Sequence, residues 1–187
     1  MSKAVSALQG ASFHGFAEVT EQGLVGMVTL KADLEAPETM SALQSVTGAT
    51  VPARRAMTGE EGGTQVAWMA PDEVLILCDH AKADQIVADL SAELGAAHHL
   101  AVNVSDARAV FCVKGAGARE VLGKLTPADL GGLPAREMRR SRLAQVPGAF
   151  WFNEAGDATI ICFRSVAQYA FDLLANAATP GSEVGYH

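Results

Sequence analysis

Basic residues are in short supply: 14 lysines and arginines stand against 21 aspartates and glutamates, a formal net charge of -7 over 187 residues. No long basic run offsets that deficit, which argues against nucleic acid or an anionic membrane as the principal partner. Cysteine is scarce too. Cys78, Cys112 and Cys162 each lie inside an apolar stretch, with neither zinc-knuckle spacing nor a CxxC pair, so they read as buried thiols of a reducing compartment. Nowhere do roughly 18 apolar residues run together, and the opening MSKAVSALQGASFHGF has no continuous apolar segment of the signal-peptide kind. The expectation is a soluble cytoplasmic protein.

Apolar residue types make up 49% of the chain, enough to exclude intrinsic disorder and to build one substantial core or two small lobes. Order is weakest before residue 64. GLVGMVTLKADL, from Gly23 to Leu34, alternates loosely as one or two strands, and Pro37 opens a short helix that stops near Gly48. VPARRAMTGEEGG, from Val51 to Gly63, has no period and reads as a surface loop. From Thr64 onward the pattern sharpens. TQVAWMAPDEVLILC gives a strand broken at Ala70-Pro71-Asp72 and a second strand through Val74 to Cys78. Ile86, Val87, Leu90 and Leu94 recur at helical spacing before Gly95. Leu100, Val102 and Val104 share one strand face, and a turn at Ser105-Asp106 leads to a strand through Val113. A helix from Ala118, then two antiparallel strands joined by the turn 153–156, complete the order. The expected organisation is an irregular region over 1–63 and an α+β domain over 64–178, or one continuous fold, with helices packed on a mostly antiparallel sheet.

The motifs that suggest chemistry are incomplete. Gly115 and Gly117 begin a GxGxxG, but Glu120 stands where the third glycine is required, so an ordinary strand-to-helix turn is expected rather than a dinucleotide cradle. His98 and His99 are adjacent at a strand start and point to opposite faces, which prevents shared ligation of a metal. His14, His80 and His187 belong to no motif that locates a general base. No cofactor and no metal are therefore expected in this chain. Positive charge is clustered instead, at Arg54 and Arg55 and at Arg136, Arg139, Arg140 and Arg142. Such clusters either dock an acidic patch of a partner or serve solubility. At the end of GDATIICFRSVAQYAFDLLA, Arg164 and Ser165 stand where a strand gives way to a helix. Ser165 is expected to cap that helix and Arg164 to pair with a carboxylate or backbone carbonyls, a structural corner without catalytic duty.

WMAPDEVLIL from Trp68, VSDAR from Val104, GAGAREVLGKLTPADL from Gly115 and CFRSVAQYAFDLL from Cys162, in that order and spacing, resemble the gamma subunit of heterotetrameric bacterial sarcosine oxidases over about residues 64–175. Trp68 takes the family tryptophan, Pro71 to Glu73 the PDE turn, and Arg164, Ser165 and Ala167 the RS-x-A corner. Ala70, Val74 and Val166 depart from the pattern. The resemblance implies a fold similar to the folate-binding domains of aminomethyltransferases and a non-catalytic place beside alpha, beta and delta subunits. The complex it implies carries FAD, FMN and NAD, with zinc in the small subunit. It demethylates sarcosine oxidatively to glycine, with hydrogen peroxide as a product and tetrahydrofolate as the cosubstrate that becomes 5,10-methylenetetrahydrofolate. Two other classes fit the same fold: an independent folate-dependent aminomethyltransferase-like protein and a free-standing binding module.

Overall fold

The computed structural model describes residues 4–185 and divides into two compact units. One is contiguous, Val25–Ser105; the other joins Met1–Leu24 to Asp106–His187. The division falls inside both regions expected from the sequence rather than near residue 63, because the strand Val25–Ala32 is central to the sheet of the contiguous unit and cannot be separated from its partner strands beyond residue 64.

In the contiguous unit the chain runs β3 (Val25–Ala32), α1 (Pro37–Thr47), β4 (Met57–Gly59), β5 (Gln65–Ala70), β6 (Glu73–Asp79), a 3-10 turn (His80–Lys82), α2 (Ala83–Leu94) and β7 (His99–Asn103). The strands form one antiparallel sheet in the order β4-β5-β6-β3-β7. Pro37 supplies a preset φ for the first turn of α1, and Gly48 ends it in the left-handed region at φ 73°. Val28, Leu30 and Ala32 of β3 alternate inward with Val74, Ile76 and Cys78 of β6, and Leu43, Ile86 and Leu90 of the two helices cover them. Pro71 and Asp72 make the turn between β5 and β6, with a bulge between Trp68 and Ala70 that absorbs the change of register. The loop expected over 51–63 contains the three-residue strand β4, which is too short to show a period in the sequence.

The discontinuous unit begins with β1 (Ser12–His14) and β2 (Glu18–Glu21) and resumes with a 3-10 turn (Ser105–Ala107), β8 (Arg108–Lys114), α3 (Ala118–Gly123), β9 (Arg139–Leu143), β10 (Val146–Phe152), β11 (Ala158–Phe163), a 3-10 turn (Arg164–Val166) and α4 (Ala167–Ala177). Its antiparallel sheet has the order β1-β2-β8-β11-β10-β9. Phe111, Phe150, Phe152, Ile160 and Cys162 line the core face with Val121, Leu122, Ala170 and Leu174 of the helices. Both units thus repeat the order strand, helix, three strands, helix, with the first strand inside the sheet, paired on one side with the third of the three strands and on the other with β7 or β2. In one unit that flanking strand comes after the last helix; in the other it comes from the N-terminal segment.

Candidate functional site

The corner at Arg164 holds chain segments together. Its Nη2 donates to the carbonyls of Val5 at 2.9 Å and Ser6 at 3.2 Å. Glu21, at the end of β2 and 6% exposed, grips the same segment. Its carboxylate accepts from Ser6 Oγ at 2.9 Å, Leu8 N–H at 3.0 Å and Gly10 N–H at 2.7 Å. Ser165 does not cap α4, contrary to the expectation. It is exposed within the 3-10 turn, neither the turn nor α4 has a side-chain cap, and the Ala167 N–H is satisfied by the Arg164 carbonyl. The corresponding turn of the other unit shows where a cap belongs: Asp79, the residue before the turn, accepts from Ala81 N–H at 2.9 Å. Phe163 holds that position before the Arg164 turn, so Ser165 stands two residues too late.

The six candidate arginines separate. Arg54 and Arg55 are exposed in a turn of the contiguous unit, where Arg55 has φ 66°. Arg136, Arg139, Arg140 and Arg142 belong to the other unit. Arg136 is half-buried at φ 57°, and its N–H donates to the Phe152 carbonyl at 2.8 Å. Arg139 is half-buried and paired with Glu137 at 2.8 Å. Arg140 and Arg142 are exposed and share the face of β9 opposite Leu143, which packs into the core. Arg139 differs from Arg140 and Arg142 because its position on the strand turns it to the side of Leu143.

Around Gly117 the space a dinucleotide phosphate would need is filled by the protein itself. A Cβ at Gly117 would lie 2.5 Å from the Phe16 ring, and the Lys124 ammonium sits 4.7 Å over the same ring. Lys124 also donates to the Ala177 carbonyl at 2.8 Å and Ser182 Oγ at 3.1 Å, while buried Glu120 accepts from Val184 N–H. Arg119 stacks 4.3 Å over Phe152 and donates to the carbonyls of Leu130 and Leu133, pinning the loop after α3. All three cysteines are buried and free. Burial pushes their thiols upward, Cys162 to about 11, which keeps them protonated near neutrality.

His98 and His99 line an open cavity of about 730 Å³ with Lys31, Asp33, Pro71, Asp72 and Leu100. His99 is half-buried with Nδ1 2.8 Å from the Ala97 carbonyl. Lys31 Nζ lies 3.9 Å from Asp72 and 3.8 Å from Glu73. Among the described residues no three His, Cys, Asp or Glu side chains stand together as a metal site. His187 lies outside the described residues. No helix among those residues is long and apolar enough to cross a membrane.

The fold is an α+β arrangement of helices on antiparallel sheets, shared with the aminomethyltransferase T of the glycine cleavage system from Bartonella henselae at a TM-score of 0.62 and 11% identity, over 82% of this chain and 44% of that one. The heterotetrameric sarcosine oxidase of Corynebacterium sp. U-96, solved in complex with pyrrole 2-carboxylate, contains a chain that matches at a TM-score of 0.80 and 26% identity, over 89% of this chain and 87% of that one. The sarcosine oxidase subunit gamma of Corynebacterium sp. (strain U-96) is 32% identical over 117 residues, which is 59% of this chain and 55% of the relative, so the chain spans about half the length of that relative. The family model for the sarcosine oxidase gamma subunit matches residues 31–179. The chain belongs to the sarcosine oxidase gamma subunit family. The match begins within β3 and runs past the end of α4, further toward the N-terminus than the resemblance over 64–175.

Proposed function

We propose that this chain is the non-catalytic gamma subunit of a heterotetrameric sarcosine oxidase. The match of the family model over residues 31–179 carries this reading. In it the chain assembles with alpha, beta and delta subunits, and the complex oxidises sarcosine to glycine. Oxygen is reduced to hydrogen peroxide while the methyl carbon passes to tetrahydrofolate as 5,10-methylenetetrahydrofolate. FAD, FMN and NAD belong to the partners, and zinc to the small one. This chain's own contribution is docking, with Arg140 and Arg142 on the exposed face of β9 as charged contacts of one unit and Arg54 and Arg55 as those of the other. Arg164 has a structural role, holding residues 5 and 6 in place.

The test is co-expression with the three candidate partners. The chain is expected to co-purify in stoichiometric amount with flavin-containing subunits, and alone to show no absorbance between about 350 and 500 nm, the flavin range. A chain that purifies without companions, or that binds tetrahydrofolate tightly by itself, contradicts the reading.

A further inference from the structure

Every open sheet exposes a row of unpaired backbone groups at each edge, and proteins blunt such edges with short strands or charged side chains. The two sheets of this chain end at β1 and β9 in one unit and at β4 and β7 in the other. β1 and β4 are three residues long. β9 carries Arg139, Arg140 and Arg142. β7, His99-Leu100-Ala101-Val102-Asn103, is five residues long and has neither device. Leu100 is 54% exposed and Val102 39% exposed, on the face of the sheet away from α1 and α2.

The phase of β7 is set by its pairing with β3. Val104 N–H donates to the Met27 carbonyl at 2.8 Å, and Thr29 pairs with Val102 and Lys31 with Leu100. In an antiparallel ladder the backbone groups of Leu100 and Val102 then turn toward β3, and those of His99, Ala101 and Asn103 turn to the open edge. The far end of the strand is held in place. Asn103 Nδ2 donates to Asp84, its Oδ1 accepts from both Ser105 N–H and Ser105 Oγ, and Ser105 Oγ accepts from Met27 N–H. The near end opens onto the 730 Å³ cavity, which Lys31, Asp33 and Asp72 line; the Lys31 ammonium lies 3.9 Å from Asp72 and 3.8 Å from Glu73 at the cavity's side, so three carboxylates stand near one ammonium.

We infer that β7 is a docking edge for an extended segment of a neighbouring subunit, which adds a strand to this sheet. The segment places apolar side chains at alternate positions over Leu100 and Val102 and a lysine or arginine over Asp33 and Asp72, because the excess of carboxylates at that end is matched by a cation. The inference rests on the reading of the chain as an assembly subunit.

Tagged full-length chain is co-expressed with the alpha, beta and delta subunits as wild type, as Leu100→Lys with Val102→Lys, and as Asp33→Asn with Asp72→Asn. Retained partner is quantified, and hydrogen exchange at Ala101 and Asn103 is compared between free chain and complex. The lysine pair is expected to lower retention about tenfold, the scale of a lost apolar anchor, and the asparagine pair to lower it measurably. Both outward amides are expected to become protected on assembly. Wild-type assembly without protection of these amides overturns the docking edge while leaving the subunit reading intact. Unchanged retention with the asparagine pair overturns the cationic contact. Protection that develops when the free chain alone is concentrated assigns the edge to self-association and also overturns the inference. Wild-type chain that retains no partner overturns the subunit reading and this one with it.

Discussion

Glu21 is the residue on which the N-terminal segment depends, since its buried carboxylate takes three donors from residues 6–10. Glu21→Ala leaves those donors without partners and is expected to cost about 1–3 kcal/mol, the scale of broken buried hydrogen bonds, read by urea denaturation, with faster exchange at the Leu8 and Gly10 amides. Gly117→Ala drives a methyl group into the Phe16 ring and is expected to cost about 1–3 kcal/mol, measured the same way. Cys162 gives a pH dependence. Its thiol ordinarily titrates near 9.0 and is pushed to about 11 by burial, so the unfolded chain loses that proton first as pH rises. The stability it contributes is whole below pH 9 and lost between about 9 and 11. A urea midpoint that falls over that window, with a shallower fall in Cys162→Ala, is the expected result. The three cysteines were legible in the sequence as buried because each sits in an apolar run. Glu21 was not: one acid in an irregular segment gives no sign that it faces inward.

Elements with a clear period were legible and those without were not. The helices at 37–47, 83–94 and 167–177 announced themselves through apolar spacing, proline or glycine, and β6, β8 and β11 through apolar runs. β9 was hidden by its arginines, and the turn after it uses Ala144 at φ 49°, where a glycine or asparagine would have signalled the hairpin. The corner misled for a related reason. A serine before an apolar helix is a cap by composition, but the intervening 3-10 turn moves the capping position back to Phe163. Ser165→Ala is accordingly expected to change stability by less than about 0.5 kcal/mol, as at an exposed site without special contacts, and calorimetry checks this. On β9, Arg140→Glu with Arg142→Glu is expected to leave the circular dichroism spectrum unchanged and to weaken co-purification with the partners. The loss should be greatest at low ionic strength, where charge attraction is least screened. Equal retention at every salt concentration would assign these arginines to solubility.

At the scale of the whole molecule, the α+β class and the family were carried by motifs between residues 64 and 175, but the division into units was not, because it depends on a pairing between distant parts of the chain. Val19 of β2 pairs with Val113 and Thr20 with Cys112, a partnership no local pattern encodes. A chain begun at residue 23 keeps the entire family-matched span of 31–179 yet loses β1, β2 and Phe16. It is expected to expose the edge of β8 and to aggregate or unfold at lower temperature than the full chain, as measured by light scattering during a thermal ramp. The same arrangement sets an order of events during synthesis. The contiguous unit is complete as soon as Ser105 leaves the ribosome, while β2 has waited about ninety residues for a strand that has not yet been made. Until β8 emerges, β2 has β1 beside it but lacks a partner on its other edge, which stays accessible to a chaperone, so a pause in translation just before Asp106 would lengthen that exposure without delaying the folding of the unit already made.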